Sequence, residues 1–98
     1  MFAWIKKEVK MPLFLDIHQD VPGLTTEAVA QAHAKDLEIQ GKYNVRYRRY
    51  WYDTKNGKVF CLVEAPDKES AMIVHREAHG LVADEIFEVQ EGIVDPTV

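Results

Sequence analysis

Residues 58–80, KVFCLVEAPDKESAMIVHREAHG, decide the fold because they place a strand directly before a helix. The segment Lys58–Ala65 is rich in β-branched and apolar residues, which is typical of a strand. Pro66 ends that run, and the carboxylate of Asp67 can then cap a helix that has an acidic first turn. Gly80 is suited to end this helix after roughly three turns. We therefore predict a strand and a helix over this segment.

A hairpin precedes the helix. Tyr43–Tyr52 is dense in aromatic residues, and the pair Asn56-Gly57 that separates it from Lys58–Ala65 favours a tight turn. The two segments are therefore predicted to be antiparallel strands.

The remaining elements lie on either side of this unit. The alanine-rich segment Glu27–Gln40 is a good helix former throughout, with Thr25 or Thr26 as its cap and Gly41 at its end. Two further short apolar runs are predicted strands, namely Met11–His18 and Glu85–Gln90.

The resulting order, βαββαβ, predicts an α+β ferredoxin-like fold, with a four-stranded antiparallel sheet and two helices on one face. We expect this domain to span residues 11–91, with an N-terminal extension at 1–10 and a C-terminal tail at 92–98. The other face of the sheet is left open, and we expect the protein to dimerise through it.

The first strand is predicted to turn its alternating apolar residues, Leu13, Leu15 and Ile17, towards the helices. The intervening residues would then lie on the open face: Phe14, Asp16 and His18.

The hairpin register adds further residues to the open face. An even-numbered loop places Trp51 with Phe60 and Leu62, while Arg49 lies near Glu64 and the intervening residues of the third strand point to the core. A bulge near Arg48 would reverse the aromatic assignments. Either arrangement exposes aromatic residues, which is typical of a dimer interface, a ligand cleft or both.

Composition excludes several classes of protein. The chain has 98 residues, a formal charge of −4 and 47% apolar residues, which fits one small soluble domain without a membrane segment. The cluster Arg46, Arg48 and Arg49 alternates with tyrosines, so we interpret it as a solvated strand face rather than an RNA surface and expect no nucleic-acid partner. The single cysteine, Cys61, lies in an apolar run and is expected to be a core residue of a reduced, cytoplasmic protein.

The histidines of HREAHG are the first candidate site. His75 and His79 lie four residues apart, so a helix presents both imidazoles on one face, where they can bind nickel, copper or zinc. A zinc-protease helix is excluded because Arg76 follows His75 where that motif requires glutamate. The alternatives are that His75 is a hydrogen-bonded core residue and that His79 favours the negative end of the helix dipole.

The second candidate site is the predicted open-face group of Asp16, His18 and Glu64. Two carboxylates and an imidazole can hold a divalent cation or serve as acid and base, whereas an ion pair between Arg49 and Glu64 is the alternative. Strand topology is expected to keep His79 far from His18 within one chain, so that a joint site would need a second subunit. His33 on the first helix is a third candidate ligand, with a simple polar helix-face role as its alternative.

Three segments together resemble a family of small bacterial ferredoxin-like proteins that is labelled nickel-binding. They are MPLFLDIH at 11–18, EAVAQAHAKDLEIQGKYNV at 27–45 and VFCLVEAPDKESAMIVHREAHGLVADEIFEV at 59–89. The resemblance covers roughly residues 11 to 90, and it implies a homodimer that binds a transition metal, with nickel as the named ion. The histidines and acidic residues that match its motifs are Asp16, His18, His33, Glu64, His75 and His79.

We therefore expect a non-enzymatic, cytoplasmic, dimeric protein that binds nickel or a similar divalent ion. The competing class is an enzyme or small-molecule-binding module that uses the open-face cleft, and a third is an assembly protein whose bare sheet face serves only dimerisation. Histidine coordination is expected to weaken as the pH falls through about 6.5.

Overall fold

The computed structural model describes residues 11–95 and 97, so the predicted N-terminal extension lies outside the described residues. The order of its elements is that of a ferredoxin-like α+β fold, as predicted. They are β1 (Leu13–His18), α1 (Thr26–Ile39), a short 3-10 helix (Gln40–Tyr43), β2 (Arg46–Asp53), β3 (Lys58–Glu64), α2 (Lys68–Ala78) and β4 (Glu85–Val89).

The four strands form one antiparallel sheet in the order β2-β3-β1-β4. Both helices begin at the caps that the sequence predicts. The Thr25 hydroxyl accepts from the Ala28 N–H at 3.1 Å, and the Asp67 carboxylate accepts from the Ser70 N–H at 2.7 Å. Over the described residues, neither helix combines the length and apolar character that crossing a membrane requires.

Replacing Asp67 with alanine is expected to lower the free energy of unfolding by about 1 kcal/mol, because the first turn of α2 loses its side-chain acceptor. Urea denaturation measures this change. The neighbouring Lys68→Ala variant is the control and should change stability by less than about 0.5 kcal/mol. Equal losses in the two variants would show that capping is not the cause.

The core lies between the two helices and one face of the sheet. Val29 on α1, and Ala71 and Val74 on α2, pack with Val63 of β3 and Phe14 of β1. This places both helices on a single face, which we call the helix-facing side, and leaves the opposite face open.

The predicted orientation of β1 was wrong. Phe14, Asp16 and His18 are buried on the helix-facing side, where Asp16 pairs with Cys61 and His18 with Val59. The open face instead receives the half-buried apolar residues of β1, which are Leu13, Leu15 and Ile17. The rule that apolar residues face the helices fails because the helix-facing core of this protein contains ionisable side chains.

A bulge interrupts the pairing of β2 with β3 at Arg48, between Tyr47 and Arg49. The extra residue lets both Tyr47 and Tyr50 reach the helix-facing side, opposite Val63 and Cys61. Trp51 pairs with Phe60 and Arg49 with Leu62 on the open face, as the hairpin register predicts. The ion pair of Glu64 is formed with Arg48 at 3.0 Å, rather than with Arg49 as expected.

Candidate metal centre

Four potential metal ligands from three elements meet beneath the helices. Asp16 and His18 come from β1, Cys61 from β3 and His75 from α2, and all four are buried. One ligand atom from each lies within 4.8 Å of every other. We call these four residues the metal centre.

His75 occupies the middle of a chain of polar contacts. Its Nε2 atom lies 2.9 Å from Asp16 Oδ2 and 3.3 Å from His18 Nε2. On the other side of the ring, Nδ1 lies 2.9 Å from Asp36 Oδ1. The imidazole is therefore held between two carboxylates and a second imidazole, with only 1% of the residue exposed.

His79 joins the same network through Asp36. The C-terminal end of α2 turns at Gly80, which has a φ of 82°, and the Leu81 N–H then donates to His79 Nδ1 at 3.1 Å. The opposite nitrogen, Nε2, lies 3.1 Å from Asp36 Oδ1. Because Nδ1 accepts a hydrogen bond, neutral His79 has its proton on Nε2, which points at Asp36. Asp36 thus fixes the orientation of both helix histidines.

The contacts of His75 require a cation at Nε2. If Nδ1 donates its proton to Asp36, a neutral ring would turn the lone pair of Nε2 towards the Asp16 carboxylate, which is repulsive. A proton or a metal ion at Nε2 removes that repulsion. Burial opposes the charge of His75, but the contacts with Asp16 and Asp36 outweigh it and raise the pKa of His75 to about 9. Without metal, the proton takes this position at neutral pH.

The pKa of Asp16 is likewise set by two opposing effects, burial and ion pairing. Burial raises its pKa, but the pairing with His18 and His75 outweighs that effect and lowers the pKa to about 2. The Oδ1 atom lies 3.2 Å from His18 Nε2, at ion-pair distance, yet it is fully buried and has no hydrogen-bond partner among the described residues. A buried carboxylate oxygen left in this way is suited to bind a cation.

The donor set fits a transition metal. Imidazole nitrogen, thiolate sulfur and a carboxylate oxygen together favour nickel, zinc, copper or cobalt over magnesium and calcium, which prefer all-oxygen sites. Burial raises the pKa of the Cys61 thiol, and the nearby negative charge of Asp16 raises it further. Cys61 is therefore a thiol in the metal-free protein and would lose its proton on binding a metal.

The structure brings together five of the six residues that the sequence singled out. Asp16, His18 and His75 are in direct contact, and His79 is linked to His75 through Asp36. His33 lines the same cavity as His18, His75 and His79, and it packs on Tyr50 with the ring centroids 4.6 Å apart. Glu64 lies apart from them, on the open face beside Arg48.

The expectation that a joint site would need a second subunit was wrong, since His18 and His75 meet within one chain. The reason is strand direction. Because β1 and β3 are antiparallel, the end of β3 at Glu64 lies beside the start of β1 at Leu13. The helix that follows β3 therefore runs towards the end of β1, where His18 lies.

Sequence reasoning missed the role of three residues: Asp36, Tyr47 and Cys61. Asp36 follows His33 by three residues, about one helical turn, and this spacing was the available signal, although the burial of Asp36 is visible only in the structure. The Tyr47 hydroxyl donates to the Ala71 carbonyl oxygen at 2.9 Å and lies 3.2 Å from Asp16 Oδ2, but the Arg48 bulge hid its position. Cys61 is buried as predicted, although its closeness to Asp16 depended on the orientation of β1.

Comparisons with known proteins agree with the fold. A family described as nickel responsive protein SCO4226-like matches residues 14–89, a segment that contains the entire metal centre. The crystal structure of SCO4226 from Streptomyces coelicolor A3(2) is similar with a TM-score of 0.77 and 37% sequence identity, over 83% of this chain and 99% of that chain. A search of curated proteins finds no match.

Proposed function

The chain belongs to the SCO4226-like family of nickel responsive proteins, and from this premise we propose that it binds a divalent transition metal, with nickel as the leading ion. One observation supports this most strongly. The Nε2 atom of His75 lies within 3.3 Å of both a carboxylate oxygen and a second imidazole nitrogen, so a metal ion that replaces the proton there would find three potential ligand atoms already together.

The proposed ligands are the residues of the metal centre, Asp16, His18, Cys61 and His75. The two Nε2 atoms lie 3.3 Å apart, His18 Nε2 lies 3.2 Å from Asp16 Oδ1, and His75 Nε2 lies 2.9 Å from Asp16 Oδ2. A metal ion held by these three residues would take the place of the proton between them, with the Cys61 thiolate as the fourth donor.

Titration of the tag-free protein with Ni²⁺ tests the proposal, in competition with a chelator and beside Zn²⁺, Cu²⁺ and Mg²⁺. We expect tight binding of the three transition metals and none of Mg²⁺. The Glu64→Gln variant is the matched control, because Glu64 lies on the open face and its loss should leave affinity unchanged. The proposal fails if no ion binds more tightly than it does to surface histidines of an unrelated protein.

We propose that Asp36 positions His75 and His79 without binding the metal itself. Asp36→Asn is expected to weaken nickel binding by about 10–100-fold, because the neutral amide oxygen accepts the ring N–H groups more weakly than a carboxylate and increases the basicity of His75 less. Isothermal titration measures the change, with Glu38→Gln as a control at an exposed acidic position on the same helix. Unchanged affinity in Asp36→Asn would remove Asp36 from the account.

We also propose that the protein binds rather than catalyses. The enzyme alternative placed Asp16 and His18 as acid and base in a cleft on the open face. Both residues are buried on the helix-facing side, so an open-face reaction would lack them.

Finally, we propose a homodimer that forms through the open face. Trp51 is 48% exposed and Phe87 is 50% exposed on this face, and they flank a half-buried apolar surface. The other apolar residues of this surface are Leu13, Leu15, Ile17, Phe60 and Leu62. A monomer rarely leaves such a surface in water.

Replacing Phe87 with glutamate is expected to convert the dimer to a monomer, because each copy would place a charge within the apolar interface. Size-exclusion chromatography with light scattering measures the mass. Leu37→Glu is the matched control, since Leu37 is 47% exposed on α1 and away from the open face. A wild-type protein that is already monomeric would contradict the dimer proposal.

A further inference from the structure

A cavity of about 110 Å³ lies beside the metal centre on the helix-facing side. Its walls come from α1, from the loop between β1 and α1 and from the sheet. Most of the wall is apolar, including Val21, Leu24, Val29, Ala32, Val59 and Leu81. Protein cores contain few voids larger than a water molecule, so a cavity of this size needs an explanation.

The cavity leads from the surface to the buried polar cluster. Its rim contains the exposed residues Pro22, Gly23 and Leu81, whereas Asp36 and His75 in its lining are almost fully buried. The hydrogen bond from the Val21 N–H to the Gly57 carbonyl oxygen, 2.9 Å long, ties the rim loop to the β2–β3 turn. The opening is therefore held in place by backbone contacts.

Polar groups at the cavity are available to a ligand. Asp36 contacts His75 and His79 through the single oxygen Oδ1, at 2.9 and 3.1 Å, so its second oxygen, Oδ2, takes no part in these two contacts. The His33 ring packs on Tyr50 and is a second polar group in the lining of the cavity. A carboxylate oxygen and an imidazole thus offer an acceptor and an adaptable polar partner to an incoming molecule.

The residues that line the cavity also indicate which charge a ligand should carry. No lysine or arginine is among the described residues that line the cavity, whereas Asp36 contributes a carboxylate. Protonated His75 contacts both Asp36 and Asp16, and its single positive charge is outweighed by the two carboxylates, so an anion would meet net negative charge. A head group that donates hydrogen bonds, and best a cation, is complementary to this site.

We propose that this cavity binds a small organic base, an amine with a compact apolar body, whose nitrogen donates to Asp36. An apolar cavity of about 150 Å³ is known to hold benzene, so the present volume suits a body of about four or five carbon atoms. This inference goes beyond metal binding and does not depend on it, because the cavity and the Asp36 oxygen belong to the metal-free protein.

The test uses isotope-labelled, metal-free protein and isobutylamine as the probe, with isobutanol as a neutral control of the same carbon skeleton. We expect saturable shifts of the backbone amide signals of Leu24, Ala32 and Val59, with a dissociation constant of about 1 mM, given so few ligand atoms. Isobutanol should bind about tenfold more weakly, because it lacks the charge-assisted hydrogen bond.

Two variants connect binding to the cavity. Ala32→Leu fills the apolar wall without touching a polar group and should abolish the saturable shifts, whereas the exposed Glu38→Gln variant on the same helix should keep them. Asp36→Asn should weaken isobutylamine about tenfold and leave isobutanol unchanged, which separates loss of the charge from loss of the fold.

Shifts that rise linearly without saturation, or that persist in Ala32→Leu, would overturn the proposal and would indicate a cavity that holds water only. Isobutylamine and isobutanol binding equally would overturn the role of Asp36. Since all samples are free of metal, failure here leaves the nickel titration unaffected, and failure of that titration leaves this result unaffected.

Discussion

Replacing His75 with glutamine is expected to weaken nickel binding by at least about 100-fold, the largest effect that we predict for a single side chain. His75 is the only described residue that belongs to both groups of potential ligands, one with Asp16, His18 and Cys61 and the other with Asp36 and His79. Glutamine approximates the size of the ring and keeps hydrogen-bonding capacity, but its amide is a poor ligand for nickel.

Competition titration measures the affinity of His75→Gln, and an amide correlation spectrum verifies that the variant is folded. Glu64→Gln is the parallel control and should bind like the wild-type protein. A folded His75→Gln variant with wild-type affinity would show that the metal binds elsewhere.

The second large effect is the dependence of nickel affinity on pH. A metal at His75 Nε2 must displace the proton there, and the pKa of His75 is raised to about 9 by Asp16 and Asp36 against the opposing effect of burial. Affinity should therefore rise by about tenfold per pH unit between pH 7 and 9 for this one proton. Cys61, as a thiolate ligand, releases a second proton, so the expected slope for the wild-type protein is about 100-fold per pH unit.

This range differs from the expectation made from the sequence, in which histidine coordination weakens only below about pH 6.5. Titration at constant ionic strength measures the slope. Cys61→Ser is the matched variant and should reduce the slope by one proton. A wild-type affinity that stays constant from pH 7 to 9 would contradict a role for His75 as a ligand.

The same proton stabilises the metal-free fold. Because the folded pKa of His75 is above its unfolded value of about 6.5, the contribution is fully present below pH 6.5 and is lost as the pH rises through about 9. This stabilisation of the folded state amounts to about 3 kcal/mol at most. Part of it comes from the ion pair between His75 and Asp16, which also lowers the pKa of Asp16. Added nickel should offset the loss at high pH by taking the place of the proton.

Local chemistry was enough to predict the order of the elements. Asp67 and Thr25 cap the helices as the sequence indicates, and Asn56-Gly57 separates two antiparallel strands. These features depend on residues close in sequence, so no tertiary information is needed. The helical spacing of His75 and His79 likewise places both beside Asp36.

The orientation of β1 could not be predicted in the same way. Its apolar residues, Leu13, Leu15 and Ile17, lie on the open face, and its ionisable residues, Asp16 and His18, lie in the core. Hydrophobic alternation predicts the reverse. Buried carboxylates and imidazoles are tolerated because they pair with one another, and such pairing between distant segments is absent from any local pattern.

The position of Tyr47 is a second feature that could not be predicted from the sequence. One extra residue at Arg48 turns Tyr47 towards Asp16 and Ala71, and a bulge of this kind changes which residues face the core without a clear signal in the sequence. Violations of the usual pattern therefore gather around the metal centre, as is common at functional sites.

The most direct test of the account is X-ray absorption at the nickel edge, on tag-free protein loaded with less than one equivalent of Ni²⁺. We expect one sulfur neighbour, from Cys61, together with imidazole scattering from His18 and His75. The sulfur contribution should disappear in Cys61→Ser while the imidazole contribution remains. A spectrum with only water-like oxygen neighbours, or one unchanged in His75→Gln, would contradict the proposed metal centre.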